Sequence, residues 1–227
     1  MASAPQPVAI EIEGRGRVSG LLQSPREPRA CLVLAHGAGA GMKHPFMTAV
    51  AEGLASRGIA TLRYQFPYME RGAKRPDPPA VAQGAVRAAV AEAARRLAGV
   101  ALFAGGKSFG GRMSSQAQAA APLAGVRGLA FLGFPLHAPG KASDERGAHL
   151  FDVRIPMLFI QGSRDEFAYL SLLQPFVSRL GAPALLKLID DADHSFHVPA
   201  RTGRSDAEVR EEMLDALAGW MDSAALG

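Results

Sequence analysis

The stretch VALFAGGKSFGG, residues 100–111, decides the fold of this chain. Its first five residues are apolar and predict a buried strand, and the segment 112–121 that follows is compatible with a helix. Between them stands G-x-S-x-G, centred on Ser108. The pattern alone is weak evidence, but this setting is typical of a nucleophile elbow, a tight strained turn that exposes a serine. Glycines flank that serine because side chains there would collide with the neighbouring backbone.

A phosphate-binding loop is the rival interpretation, since Gly106, Lys107 and Ser108 match the G-K-S end of that motif. The motif also needs a glycine at position 101. That position is Ala101, inside the apolar run, and no glycine-rich loop precedes the lysine to surround a phosphate. The sequence therefore argues against nucleotide binding.

The rest of the chain alternates short apolar runs with segments of helical spacing. The other predicted strands lie at 8–12, 17–22, 31–35, 59–63, 128–133, 156–160 and 184–189. One helix is predicted over 80–98, and the last one opens at Ser205 with the capping-box sequence SDAE. This alternation predicts an α/β fold with a mostly parallel sheet and helices on both faces, and ligands bind at the carboxyl ends of such strands.

A serine nucleophile needs a histidine base and an orienting acid, which should follow it in the order acid, then histidine. Asp165 comes just after the strand that ends near 160, and His194 follows the strand at 184–189. His197 competes with His194 because both lie in one loop, and His194 is preferred because it comes sooner after the strand. The strand-end position likewise favours Asp165 over its competitors, which are Glu166, Asp152, Asp190, Asp191 and Asp193.

Two backbone amides should stabilise the oxyanion that forms on the substrate. One is the amide of Phe109, directly after the serine, and the other comes from the glycine-rich loop HGAGAG at 36–41. Ala38 is the preferred second donor and Gly39 the alternative, while His36 is expected to hold this loop. Gly39 and Lys107 are predicted to contact substrate. Lys107 and the basic loop 71–75 would favour anionic acyl groups. The alternative is that both are exposed to solvent and do not select the substrate.

Length and composition fit one globular domain spanning 1–227, with 48% hydrophobic and 20% charged residues. The net charge of 25 − 21 = +4, without a basic stripe interleaved with aromatics, argues against nucleic-acid binding.

One cysteine, Cys31, excludes an intrachain disulfide, and the crowding of His194 and His197 in one loop argues against a metal site. No signal peptide or apolar run of membrane-spanning length is evident, so a cytoplasmic location without membrane binding is expected.

Six motifs in order carry a resemblance to a known family: HGAGAGMKHPFM, RYQFPYMERG, GGKSFGGRM, GFPLHAPGK, FIQGSRDEF and DADHSFH. From about residue 30 onward the chain resembles a small dienelactone-hydrolase-like branch of the α/β-hydrolases. That branch includes the hydrolase-like domains of a non-specific-lethal chromatin complex subunit and of a testis-expressed protein. The resemblance implies about eight strands and a triad of Ser108, Asp165 and His194. Dienelactone hydrolases proper use a cysteine nucleophile, so the serine argues against that lactone activity.

The predicted function is therefore hydrolysis of a small ester, thioester or lactone through an acyl-serine intermediate, with no cofactor implied. The connection around 134–154 is too short for a large cap domain, which predicts an open site and a small-molecule substrate. The alternative is an interaction module that keeps the hydrolase fold without turnover. The sequence does not determine the oligomeric state.

Overall fold

The computed structural model describes residues 4–226, which are organised around one eight-stranded sheet. The strand order is β1-β2-β4-β3-β5-β6-β7-β8; the pairs β1–β2 and β2–β4 are antiparallel and the others parallel. The strands are β1 (Gln6–Ile12), β2 (Gly16–Gln23), β3 (Ala30–Ala35), β4 (Ile59–Tyr64), β5 (Ala101–Lys107), β6 (Val126–Leu132), β7 (Met157–Gly162) and β8 (Ala184–Ile189). This architecture confirms the predicted fold class.

Helices cover both faces of the sheet. They are α1 (Pro45–Ser56), α2 (Pro67–Glu70), α3 (Pro79–Arg96), α4 (Phe109–Ala120), α5 (Leu170–Leu180) and α6 (Asp206–Leu226). The apolar side chains of α1 and α6 pack on one face, and those of α3, α4 and α5 pack on the other. β3 shows why both faces are apolar: Leu32 and Leu34 point into one core, while Cys31 and Val33 point into the other.

The predicted elements are present, with differences at their ends. The capping box of α6 forms as expected: the Glu208 amide donates to Ser205 Oγ at 3.2 Å, and the Ser205 amide donates to the Glu208 carboxylate at 2.8 Å. The strand expected at 100–104 continues to Lys107, and the helix expected from 112 begins at Phe109. Ser108 is therefore the only residue between strand and helix.

The connections after β3, β5, β7 and β8 lie at the carboxyl edge of the parallel part of the sheet, where the sequence places the candidate residues. The longer connection from β6 to β7 contains a 3-10 helix, Glu145–Asp152, and no large cap domain. Within 4–226, no helix combines the length and apolar character needed to cross a membrane.

Candidate active site

Ser108 occupies the sharp turn between β5 and α4. Its backbone has φ 49° and ψ −114°, a conformation that is strained for a residue with a side chain. Two glycines make this turn possible by letting three backbone segments approach. A Cβ at Gly110 would lie 2.6 Å from the Ala35 carbonyl oxygen, and one at Gly106 would overlap that same oxygen. The glycine pattern around the serine is therefore explained by close backbone packing against β3.

The structure brings Ser108, His194 and Asp165 into one hydrogen-bonded chain. His194 Nε2 lies 2.9 Å from Ser108 Oγ, and His194 Nδ1 lies 2.6 Å from Asp165 Oδ2. A carboxylate can only accept, so Nδ1 carries the proton and Nε2 is left to accept the serine proton. The three residues come from the ends of three different strands, β5, β7 and β8.

Asp165 is held by two further donors and is almost fully buried, with 2% of its surface exposed. The Phe167 amide donates to Oδ1 at 2.8 Å, and the Gln161 side-chain amide donates to Oδ2 at 2.5 Å. Gln161 is itself fixed because its Oε1 accepts from the Phe134 amide at 2.8 Å. The carboxylate is therefore oriented toward His194 by one group in β7 and one in the loop that follows it.

His194 lies in a tight turn over residues 193–197. Asp193 Oδ1 accepts from the amides of Ser195 at 2.7 Å and His197 at 3.0 Å. Phe196 has a positive φ of 62°, and its buried ring stacks on Phe46 of α1 at a centroid distance of 5.9 Å. These contacts fix the turn to the body of the protein and place the His194 ring beside Ser108.

The other candidate base and acids lie elsewhere. His197 contacts Asp206 at the start of α6, with Nδ1 2.7 Å from Oδ2, and its side chain is 64% exposed. That hydrogen bond raises the pKa of His197. His194 and His197 therefore face different partners and do not converge on one point. The competing acids are on the surface or cap the turn: Asp152, Glu166, Asp190 and Asp191 are exposed, and Asp193 caps the turn.

The loop after β3 is held by two side chains that donate hydrogen bonds to its carbonyl groups. His36 is buried; its Nε2 accepts from the Phe66 amide at 3.1 Å, so Nδ1 carries the proton and donates to Gly37 O at 2.8 Å. Burial lowers the pKa of His36 to about 4, which keeps the ring neutral. The Tyr68 hydroxyl donates to Ala38 O at 2.8 Å.

These two contacts set the direction of the candidate oxyanion donors. In a trans peptide the carbonyl of one residue and the amide of the next point in opposite directions, and no cis peptide occurs within residues 4–226. Because His36 holds the Gly37 carbonyl and Tyr68 the Ala38 carbonyl, the amides of Ala38 and Gly39 point away from those side chains. The other predicted donor, the amide of Phe109, is at the first position of α4, where no helical carbonyl precedes it.

A cleft of about 420 Å³ opens beside Ser108. Its walls combine the loop after β3 with apolar side chains. The lining residues include Ala38, Gly39, Phe46, Met47, Lys107 and Phe167. The Phe167 ring packs against the His194 ring at a centroid distance of 4.4 Å. In the basic loop, Arg71 pairs with Asp77 at 2.6 Å.

A family model described as "Alpha/beta hydrolase domain" matches residues 28–222, which is most of the chain. The chain belongs to this α/β-hydrolase family.

Solved structures of other α/β-hydrolases share the fold. A serine hydrolase homologue from Coxiella burnetii has a TM-score of 0.75 and 20% identity over 96% of this chain and 98% of its own. A dienelactone hydrolase from Anabaena variabilis has a TM-score of 0.71 and 21% identity over 94% and 97%. A serine hydrolase from Xanthomonas campestris, described as lacking a lid, has a TM-score of 0.74 and 20% identity over 96% and 95%.

Sequence reasoning missed two residues that shape the site of this α/β-hydrolase, Gln161 and Tyr68. Gln161 is the penultimate residue of the apolar strand β7, four residues before Asp165, and a polar residue at that position is a signal that could have been followed. Tyr68 lies in α2, a four-residue helix without a periodic pattern, and gave no comparable signal. His36, by contrast, holds the loop that the sequence assigned to it.

Proposed function

We propose that this α/β-hydrolase is a serine hydrolase that cleaves small esters, thioesters or lactones through an acyl-enzyme intermediate. The observation that supports it most strongly is the chain of hydrogen bonds from Ser108 through His194 to buried Asp165, at the edge of an open cleft. The serine hydrolase fold of the similar structures supports the same reaction class.

In the first half of the reaction, Ser108 Oγ attacks the substrate carbonyl carbon while its proton passes to His194 Nε2. Asp165 accepts the Nδ1 hydrogen bond and stabilises the positive charge that develops on the ring. When the tetrahedral intermediate collapses, the bond to the leaving group breaks and the leaving oxygen or sulfur takes the proton from Nε2. A water molecule then repeats the sequence on the acyl-serine and releases the acid.

The negative charge on the tetrahedral oxygen requires preorganised donors. The amide of Phe109 and the amide of Ala38 are the proposed pair, with Gly39 as the alternative to Ala38. Removing one such donor in a hydrolase costs about 3 kcal/mol of transition-state stabilisation. The contacts from His36 and Tyr68 order this loop before substrate binds, so its amides need not reorganise during the reaction.

The cleft indicates the kind of substrate. Phe46, Met47 and Phe167 provide apolar walls next to Ser108, so the acyl or leaving group in contact with them is proposed to be apolar. In a fitted tunnel, each additional methylene of the acyl chain would add about 0.8 kcal/mol of favourable binding free energy, so long chains would be preferred. Because the β6–β7 connection does not form a large cap over the cleft, we expect preference for short acyl chains.

The finer assignments remain predictions. These are a cytoplasmic location, a single functional domain over 1–227, and kinship with the non-specific-lethal complex subunit and the testis-expressed protein. The second candidate function, an interaction module, would share this fold. The ordered contacts of the triad favour turnover, because a partner-binding surface does not require a serine, a histidine and a carboxylate in this order.

The test is hydrolysis of p-nitrophenyl esters of increasing chain length by the native protein and by Ser108→Ala. We expect native activity that is highest for short chains, and loss of that activity in Ser108→Ala without loss of fold. An inactive native protein, or a Ser108→Ala variant with native activity, would contradict the enzyme assignment. A rate that climbs with every methylene would contradict the open site.

A further inference from the structure

Lys107 is the residue between glycine and serine in G-K-S, and its side chain is directed toward the catalytic loop after β8. The side chain passes Gly37, where its Cγ would lie 3.7 Å from a Cβ on that residue. Its ammonium then reaches the main-chain carbonyl of His194, with Nζ 2.5 Å from the oxygen. Lys107 thus links the strand that carries the nucleophile to the residue that acts as base.

A glycine makes room for this contact. A Cβ at Gly133, the residue after β6, would lie 2.9 Å from Lys107 Nζ and 3.3 Å from His194 Nδ1. Any side chain at that position would press on both the ammonium and the imidazole. The glycine, the lysine and the histidine loop therefore form one packed unit at the carboxyl edge of the sheet.

The Lys107 side chain is half-buried, and the acceptor of its ammonium is a main-chain carbonyl. Nζ lies 5.5 Å from the centre of the Phe196 ring, and the charges of Asp165 and Asp193 attract it. Burial outweighs that attraction and lowers the pKa of Lys107 to about 8. Partial burial of a charge that has no paired carboxylate costs folding free energy, so the contact with the carbonyl offsets part of that cost.

We propose that Lys107 is a positioning residue that holds the backbone of His194, and through it the distance from Nε2 to Ser108 Oγ. The inference rests on the proposed serine hydrolase function. It differs from the role that the sequence suggested for Lys107, contact with an anionic substrate. In the proposed role the ammonium donates to a carbonyl of the protein, so its contribution does not depend on the charge of the substrate.

The proposal has a consequence at alkaline pH. The titratable groups that face Lys107 are Asp165, Asp193 and His194, and His44 lines the same cleft. As the pH rises through about 8, the ammonium loses its proton and becomes a weaker donor without attraction to the two aspartates. The hold on the His194 carbonyl then weakens, and kcat should decline on the alkaline side.

The experiment compares Lys107→Met and Lys107→Arg with native protein and with Lys141→Met, which removes the same charge from an exposed position in the 134–152 connection. The substrates are p-nitrophenyl acetate and a p-nitrophenyl ester that bears a carboxylate. In Lys107→Met we expect kcat to fall about ten- to hundredfold for both esters with little change in KM, and the melting temperature not to fall. Lys107→Arg should recover most of the activity and lose the alkaline decline, because arginine does not titrate there.

The other possible results of these measurements would contradict the proposal in different ways. A rise in KM for the carboxylate-bearing ester alone would overturn the proposal and make Lys107 a substrate-binding residue. Native kcat in Lys107→Met, or an unchanged alkaline decline in Lys107→Arg, would also overturn the proposal. If Lys107→Met does not fold, the alkaline decline of Lys107→Arg serves as the test. If native protein and Lys141→Met hydrolyse neither ester, the proposed function fails, and not the role of Lys107 alone.

Discussion

At the residue scale, His194 is fixed at three points: Asp165 at Nδ1, Ser108 at Nε2 and Lys107 at its main-chain carbonyl. His197, three residues later, has its ring on Asp206 and most of its surface in solvent. The two histidines therefore differ in what a substitution would remove. One would lose the proton acceptor for the serine, and the other would lose a contact at the start of α6.

We accordingly expect His194→Ala to lower kcat by about four orders of magnitude, in the range known for loss of one member of a triad. His197→Ala should stay within a fewfold of native kcat, since its partner is a carboxylate on the surface. Steady-state rates on p-nitrophenyl acetate measure both. A larger loss in His197→Ala than in His194→Ala would show that the base is wrongly assigned.

Tyr68 offers a second test at this scale, directed at the oxyanion loop. Tyr68→Phe removes the hydroxyl that donates to Ala38 O and leaves the ring contacts with Phe66 and Phe109. The lost hydrogen bond is worth about 1 kcal/mol, so kcat should fall about fivefold to tenfold while KM changes little. Unchanged kcat would mean that the loop holds its amides without this contact.

The sequence predicted which residues the structure would bring together at the strand ends, because serine, aspartate and histidine each follow an apolar run in the expected order. It did not predict Tyr68, because a hydrogen bond between distant elements leaves no trace in local spacing. It also did not predict Gln161, although a polar side chain in an otherwise apolar strand is a local signal. The sequence also left two candidates for the second oxyanion donor, Ala38 and Gly39, since peptide orientation depends on contacts from His36 and Tyr68.

At the element scale, α4 can start directly after Ser108 because β5 and β3 approach it without intervening side chains. Gly110 is the residue of α4 that faces Ala35 of β3. The helix α6 carries a glycine in a contrasting position, Gly219, where a Cβ would find nothing within 4 Å. The same substitution at the two positions therefore separates backbone packing from helix propensity.

Gly110→Ala is expected to destabilise the protein by about 3 kcal/mol or more, because its Cβ overlaps backbone that cannot move aside without shifting β3. Gly219→Ala is expected to stabilise it by roughly 0.5–1 kcal/mol, because alanine is the better helix former. Urea unfolding of both variants measures the difference. If Gly110→Ala is as stable as Gly219→Ala, the close packing of α4 on β3 is wrong.

Element ends were harder to predict than the elements themselves. The predicted strand stops at Ala104, since glycine usually interrupts a strand, yet Gly105 and Gly106 both belong to β5. Their lack of side chains is what lets β5 continue between β3 and β6 up to Lys107. The short helix α2 and the 3-10 helix at Glu145–Asp152 were not predicted, because such short elements depend on tertiary contacts more than on their own periodicity.

At the scale of the whole molecule, buried His36 and half-buried His149 link stability to pH. Burial lowers the pKa of both His36 and His149 to about 4, with the charge of Arg112 contributing at His149. In the unfolded chain a histidine has a pKa of about 6.5. Between these values the unfolded state binds protons that the folded state does not, so stability is complete above about pH 6.5 and falls as the pH drops toward 4.

Between pH 7 and pH 5, the free energy of unfolding is expected to fall by about 2 kcal/mol for each of the two histidines. Urea unfolding at the two pH values measures it. His149→Gln should reduce the difference, whereas His44→Gln, at an exposed position, should leave it as in the native protein. Equal free energies of unfolding at pH 7 and pH 5 in the native protein would contradict the neutral state of both rings.

The central claim is that Ser108 is a nucleophile activated by His194, and covalent labelling tests it most directly. A fluorophosphonate probe reacts with an activated serine, and mass spectrometry of the digested protein identifies the residue that carries it. At neutral pH we predict one adduct, on Ser108, that is absent in Ser108→Ala and forms far more slowly in His194→Ala. No adduct on the folded native protein, or an adduct that persists in Ser108→Ala, would contradict the claim.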